Sequence, residues 1–417
     1  MIFMPSLEIQ NRLLAEPAGV WVDRSGNEPH LWLVAKLPQN LIREIDVGAK
    51  ITLSAWVVQI DAELFTAFGF LIYDDPDQPM AICNVCHSTD DVIAFRDMLK
   101  QGAFPLQIHN EIGIQLLHVA CRIDSSSATG LIAAISTDNH PAGDGIALRR
   151  RAQDIIEASQ KPGTIPDPSI KASCSLPITI EKKVKLEVLV MPSETFSLTD
   201  TRQGRELELL TFQQLDTLFP FGTFHSPERD HTKGRLEVCD VLAVSRIRLS
   251  DEEGIFVIQN KVSPALESGL QRSTFRRKNS IQKNIIKGIT QTVGAINRIK
   301  AGTQLYKNTG EPIEKDQPEV ASIVEPLNLR ERANKVGNGI VLISEMQGGV
   351  DWKLVWKEMF KACQKTNYCF HVLDLLELQQ LILHSNGKPS VFEALLLVRF
   401  TRMAKEETAA VRFEYKD

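Results

Sequence analysis

Two apolar stretches in the second half of the chain are each broken by polar residues whose types could do chemistry. Residues 235–245, RLEVCDVLAVS, contain Asp240; residues 255–262, IFVIQNKV, contain Gln259 and Lys261 with Asn260 between them. Polar groups inside buried strands cost free energy unless they are paired. On a strand, Gln259 and Lys261 fall on one face, two residues apart, and Asn260 on the other. An aspartate, an amide oxygen and a lysine converging at a sheet surface suit phosphodiester hydrolysis. The oxygens suit a hard cation, Mg²⁺ or Mn²⁺, that keeps much of its water shell. Such a cation polarises the phosphate and acidifies an attacking water. The lysine orients that water or offsets developing negative charge.

Both stretches are apolar on both faces, which predicts central strands. If they pair as a hairpin, Asp240 lies beside Gln259. Ahead of them, residues 200–219 read as an amphipathic helix with Leu207, Leu210, Leu215 and Leu218 toward one side. After them, a long helix is predicted over 279–302, capped by Asn279 or Ser280 and stopped by Gly302. A strand at 339–346, a helix at 351–364, a short strand at 369–375 and more helix follow. This order is an α/β layer arrangement. Glu237 has odd parity to Asp240 and points to the opposite face of a regular strand, which a bulge would reverse.

These residues resemble the PD-(D/E)xK, or restriction-endonuclease-like, nuclease superfamily, nearest its NERD and Mrr-like branch. The match runs through EVCDVLAV with Asp240, GIFVIQNK with Gln259 and Lys261, and KGITQTVGA, where Lys287 and Gln291 sit one helical turn apart. It covers residues 196–299 and extends weakly to 375. The resemblance implies a C-terminal restriction-endonuclease-like mixed sheet flanked by helices. It implies a metal-dependent DNA endonuclease with Mg²⁺ or Mn²⁺, in which Asp240 is the main ligand, Gln259 assists, and Lys261 activates water and stabilises the transition state. Lys287 and Gln291 then contact phosphate or support the centre. In this group a helix before the first strand often brings a metal-binding glutamate. GRE, residues 204–206, gives Glu206 that role, with Glu208 a nearly equal choice and Glu237 the third candidate. The family more often has Glu or Asp where this chain has Gln259, although some branches use Gln-x-Lys. A neutral amide is a weaker ligand, so the alternative is a nuclease-like module that binds nucleic acid or a protein without cutting. Many relatives restrict DNA, which makes defence against foreign DNA the expected setting.

A basic stretch adjoins these residues. From 270 to 300 the chain carries Arg272, Arg276, Arg277, Lys278, Lys283, Lys287, Arg298 and Lys300 with no Asp or Glu, a local +8 in a chain of net charge −5. Phosphate contacts dominate nucleic-acid affinity and need such a patch. With Gln291, the residues Arg276, Arg277, Lys278, Lys283 and Lys287 are the expected DNA contacts. Only Phe275 is aromatic nearby, so no single-strand stacking platform is expected.

Other motifs carry less. CNVCH (Cys83, Cys86, His87) matches the haem-attachment pattern, and with Cys121 or His118 it could supply four zinc ligands. The default expectation is two buried thiols in a strand or turn. His225 and His231 read as parts of a surface loop. Residues 346–351, MQGGVD, are too little for a phosphate loop, and no nucleotide-hydrolysing loop is found.

The 417 residues, 43% hydrophobic and 24% charged, exclude a wholly disordered or collagen-like chain and predict two or three domains. Residues 1–159 read as an N-terminal α+β domain, with strands at 49–60 and 66–73 and helices at 89–102 and 146–159. Residues 160–195 read as a linker, and residues 196–417 as the nuclease-like domain. The N-terminal domain is expected to bind a partner, form a homo-oligomer, select substrate or regulate. Seven cysteines favour reduced thiols. No secretory signal, no membrane span and a cytoplasmic location are expected.

Overall fold

The computed structural model describes residues 4–16, 18–24, 31–60, 63–73, 79–86, 88–134, 146–159, 167–186, 188–191, 194–196, 203–231, 234–245, 254–261, 274–315, 327–343 and 350–411. The chain divides into two compact units. The first is Met1–Val188 with Phe196–Thr199 and Leu266–Arg272; the second is Leu189–Thr195, Asp200–Ala265 and Ser273–Asp417. The protein is mixed α/β, with several sheets. Among the described residues no helix is long and apolar enough to cross a membrane.

The first unit has helices α1 (Leu7–Ala15), α2 (Gln39–Val47), α3 (Thr89–Gln101), α4 (Ser125–Ala134) and α5 (Ile146–Ser159). Its strands are β1 (Gly19–Asp23), β2 (Trp32–Lys36), β3 (Lys50–Ile60), β4 (Glu63–Tyr73), β5 (Met80–Val85), β6 (Ala103–His109), β7 (Gln115–Arg122), β8 (Ile170–Pro177) and β9 (Thr179–Lys185). One sheet runs β1-β2-β6-β7-β9, antiparallel except for β2 with β6; the other runs β5-β4-β3-β8 and is antiparallel throughout. The cap of α3 is Ser88, not the expected first residue Thr89. Ser88 and Asp91 exchange side-chain-to-backbone hydrogen bonds in a capping box, and Gly102 ends the helix at φ 69°.

The expected linker is corrected. Within 160–195, β8 pairs with β3 and β9 with β7, both as edge strands of the first unit. An edge strand draws its order from backbone ladder bonds while its outer face stays wet. Alternate residues of β8 are exposed accordingly, so its Ser and Lys content read as loop.

The second unit opens with a small ladder of β10 (Val188–Met191) and β11 (Glu194–Phe196), whose outermost residues Val188 and Phe196 fall in the first, then α6 (Gln203–Leu218), β12 (Thr223–His225), β13 (Glu228–His231), β14 (Gly234–Glu237), β15 (Val241–Val244) and β16 (Ile255–Lys261). The long helix α7 (Thr274–Lys300), α8 (Leu329–Ala333), β17 (Gly337–Ile343), α9 (Trp352–Thr366), β18 (Tyr368–Asp374), α10 (Leu375–His384) and α11 (Pro389–Glu406) follow. Its main sheet runs β12-β15-β16-β17-β18. The β12–β15 and β15–β16 pairs are antiparallel, and β16–β17 and β17–β18 are parallel, with α7 and α9 in the crossovers.

Helices cover both faces. Asn260 of β16 reaches Thr211 of α6, whereas its neighbour Lys261 lies against Gly288 of α7. Successive strand residues point to opposite faces, so α6 and α7 lie on opposite sides of the sheet. On the α7 side, Ile281, Ile285, Ile289 and Ile296 pack with Val257, Val341 and Ile343. On the other, the Phe219, Phe256 and Phe392 rings meet, with centroids 4.9 to 6.1 Å apart. Helix α7 starts at Thr274 rather than at the expected 279, so Arg276, Arg277 and Lys278 are on the helix.

Candidate active site

The expected single strand over 235–245 is two strands. β14 ends at Glu237 and pairs with β13, whereas β15 begins at Val241 and pairs with β16. Between them the backbone leaves both ladders: Val238 N–H donates to Pro227 O at 2.8 Å, and Ser226 N–H donates to Asp240 O at 2.7 Å. The break cancels the parity that separated Glu237 from Asp240. The Glu237 and Asp240 carboxyls act on one another electrostatically, although Glu237 as a residue is exposed.

Asp240, 8% exposed, stands beside the end of β16. Its backbone N–H donates to Ile258 O at 3.2 Å, and its carboxylate accepts the backbone N–H of Asn260. Lys261 Nζ is 4.0 Å from Asp240 Oδ2 and donates to Gln259 Oε1 at 3.2 Å and to Asn260 O at 2.8 Å. The hairpin pairing therefore brings Asp240, Gln259 and Lys261 together. Thr211 Oγ1 on α6 lies 2.6 Å from Leu207 O and 3.0 Å from the Asn260 side-chain amide, tying α6 to the same strand.

Of the two glutamates on α6, the fold brings Glu208 to this group. Glu206 is 1% exposed and two residues away, so the two side chains leave the helix on different sides. Burial and the Asp240 charge push Glu208 up to about 7, against the pull of Lys261 and Arg205. Shielding, Asp240 and Glu208 push Glu237 up to about 8. Burial raises Asp240 too, but Lys261, the Asn260 N–H, Glu237 and His225 oppose the shift. Burial thus pushes both carboxyls toward the neutral form, and the Asp240 charge pushes Glu237 further.

His225, weighed from the sequence as a substrate contact near the expected site and read as surface loop, borders this group. It is the last residue of β12, partly buried, with Nε2 3.9 Å from Glu208 Oε2 and 3.4 Å from Ser226 Oγ. Its ring meets Phe212 edge-on at 5.9 Å. Its position one residue before the Ser-Pro turn, on an edge strand of three residues, left no periodic signal. His231 ends β13, and its side chain lies outside the described residues.

Lys283, Lys287 and Gln291 are exposed on α7. The side chains of Arg276, Arg277 and Lys278 lie outside the described residues, as do Arg272 and residues 344–349. Gly288 holds α7 tight to the sheet: a Cβ there would stand 2.8 Å from Val341 Cγ1 and 3.1 Å from Lys261 Cγ. In the first unit, Cys83, Cys86 and Cys121 are buried free thiols, and burial raises Cys86 and Cys121. His118 packs on Trp32 with ring centroids 5.6 Å apart, and His87 lies outside the described residues.

No family model, no curated protein and no solved structure matches this chain.

Proposed function

We propose that the second unit is a metal-dependent nuclease hydrolysing phosphodiester bonds of DNA. The observation that carries this reading is the meeting of Asp240, Glu237, Glu208, Gln259 and Lys261 where β15, β16 and α6 adjoin. The element order α6, β12, β15, β16, α7, β17 and the mixed sheet covered on both faces support the restriction-endonuclease-like reading.

The donor set fits a hard divalent cation. Three carboxyls crowd one another, and Gln259 Oε1 adds a neutral oxygen. Among the described residues no group of three or more His, Cys, Asp or Glu side chains is arranged to hold a metal ion, so a cation here would rest on fewer carboxylates. Mg²⁺ typically takes only one or two carboxylates and keeps several waters. Asp240, Glu237 and Gln259 would hold it. When bound, the cation supplies charge to the scissile phosphate and acidity to a coordinated water. Lys261 Nζ is placed to donate to a phosphate oxygen or to the attacking water. Glu208, poised near neutrality, is placed to take a proton at its carboxylate.

Gln259 itself favours a second reading, a nuclease-like module that binds DNA or a protein without cutting, because an amide is a poorer ligand than a carboxylate. One experiment separates the two. Full-length protein is incubated with supercoiled plasmid and linear DNA in Mg²⁺, Mn²⁺ or EDTA, alongside Asp240→Ala and Lys261→Ala. Metal-dependent nicking lost in both variants is expected. DNA binding without cleavage in any metal gives the second reading.

A further inference from the structure

Outside the carboxylate site, two helices side by side build a positively charged surface among the described residues of the second unit. Helices α7 and α9 run parallel: Asp351 N–H donates to Gln282 Oε1 at 3.1 Å at one end, and Lys300 Nζ donates to Thr366 O at 2.6 Å at the other. On α7, Lys283, Lys287 and Arg298 are exposed, and the helix contains no acid. On α9, Lys353, Lys357, Lys361 and Lys365 recur every fourth residue and are all exposed, opposite the buried Val355, Met359, Ala362 and Thr366. The one acid of α9, Glu358, pairs with Lys361 at 2.7 Å; Lys353, Lys357 and Lys365 make no ion pair among the described residues.

Like charges at i and i+4 repel along a helix. Lys353 and Lys357 form one such pair with no acid beside it; Lys361 is offset by Glu358, and Lys365 follows, so with the acid-free row on α7 the face carries a net positive strip. Packed helices stand about 8–10 Å apart, so the rows form a broad strip rather than a point. A polyanion with regularly spaced charge relieves that repulsion; a duplex backbone places one phosphate per about 1.7 Å of axis. Lys287 lies next to Gly288, which touches the Lys261 stem, so the strip begins beside the site and runs away from it across α9.

We propose that the outer face of α7 and α9 is a second contact surface for the phosphate backbone of duplex DNA, gripping the substrate beyond the bond to be cut. This rests on the nuclease reading for the choice of polyanion. The strip sets the substrate class as duplex long enough to lie over both helices, and it carries no sequence readout because lysines at this spacing meet phosphates.

The test measures binding of a fluorescent 30-base-pair duplex in EDTA across a salt series, using the full chain. The variant replaces Lys353, Lys357, Lys361 and Lys365 with Gln. A charge-matched control replaces the exposed Lys100, Lys171, Lys182 and Lys405 with Gln, and a third variant carries Arg at the four α9 positions. The α9 Gln variant should bind at least about tenfold more weakly at 100 mM salt. Its slope of log K against log salt should be shallower by about two to four, with Arg restoring both and melting temperature unchanged. Equal effects of the α9 variant and the control overturn the proposal. No duplex binding by the wild type at low salt also overturns it and points to an acidic protein. Plasmid cleavage is scored separately. Cleavage with an unaltered α9 salt slope removes this surface and keeps the nuclease; an α9-dependent slope without cleavage in any metal does the reverse.

Discussion

The Asp240 carboxylate accepts the backbone N–H of Asn260, the residue that separates Gln259 from Lys261. A side chain that leaves one strand is thereby pinned to the backbone of the next. The bond fixes the carboxylate relative to the two polar side chains that flank Asn260, and it holds Asp240 toward its ionised form despite burial. Asp240→Asn keeps the shape but removes the charge. Plasmid nicking should fall by at least about 10²-fold, and Lys261→Ala should fall by about 10²–10³-fold, the usual loss when one group that stabilises developing charge is removed. Circular dichroism of both variants should match the wild type. Nicking unchanged in either removes that residue from the chemistry.

Glu206 and Glu208 should separate cleanly. Glu208→Gln should lower cleavage by about 10²–10⁴-fold with a small change in melting temperature, as expected for loss of a proton-transferring group. Glu206, 1% exposed, is built into the packing of α6, and Glu206→Ala should cost about 1–3 kcal/mol of stability by denaturant titration. Cleavage per folded molecule should be retained. The opposite pattern assigns the site to Glu206.

The acids give the metal-free protein a pH signature. Glu208 and Glu237 have folded-state values of about 7 and about 8, above the ordinary 4.5. Folding therefore favours their neutral forms. The stability they contribute is complete below about 4.5 and is lost as pH rises through about 7 and then about 8. The double variant Glu208→Gln, Glu237→Gln should gain melting temperature relative to wild type steadily from pH 5 to 8.5 in EDTA. Parallel curves would mean that the carboxyls do not crowd one another.

Gln259→Glu introduces a carboxylate beside Lys261. It should lower the Mg²⁺ concentration for half-maximal nicking. In EDTA it should lower the melting temperature, because a fourth carboxyl joins Asp240, Glu237 and Glu208 at a position only 4% exposed. A variant that gains neither cleavage nor Mg²⁺-dependent stabilisation supports the non-cutting module.

Gly288→Ala and Gly294→Ala form a matched pair on α7. At 288 the new Cβ meets Val341 and Lys261 at 2.8 and 3.1 Å; at 294 it meets only the Arg298 Nη1 tip at 3.4 Å. The first should cost about 1–3 kcal/mol through overpacking and lower nicking as well. The second should gain about 0.5–1 kcal/mol through helix propensity. Thermal melts and nicking assays check both.

What could be read from the sequence follows from where pattern and structure coincide. Asp240, Gln259 and Lys261 stood out because each breaks an apolar strand, and the antiparallel pairing of β15 with β16 then put them together. The break at 238–240 was hidden because Val238 and Cys239 are as apolar as a strand interior, while the Val238 N–H and the Asp240 carbonyl bond to the 226–227 turn. Glu237 therefore fell on the wrong side of a parity rule that applies only to an unbroken strand. Choosing between Glu206 and Glu208 needed the azimuth of α6, which the Asn260–Thr211 bond sets through tertiary contact. The linker was misread because edge strands carry the polar composition of loops.

The missing side chain at Gly288 makes one solid piece of two tasks. The helix bearing Lys283 and Lys287 rests directly on the stem of Lys261, with no methyl group between to act as a bearing. Under the proposed nuclease reading, a displacement of that helix by a bound polyanion would also shift Lys261, so grip and reactivity would be coupled through one contact. Affinity is more freely adjusted on α9, whose lysine row is one helix removed from that contact.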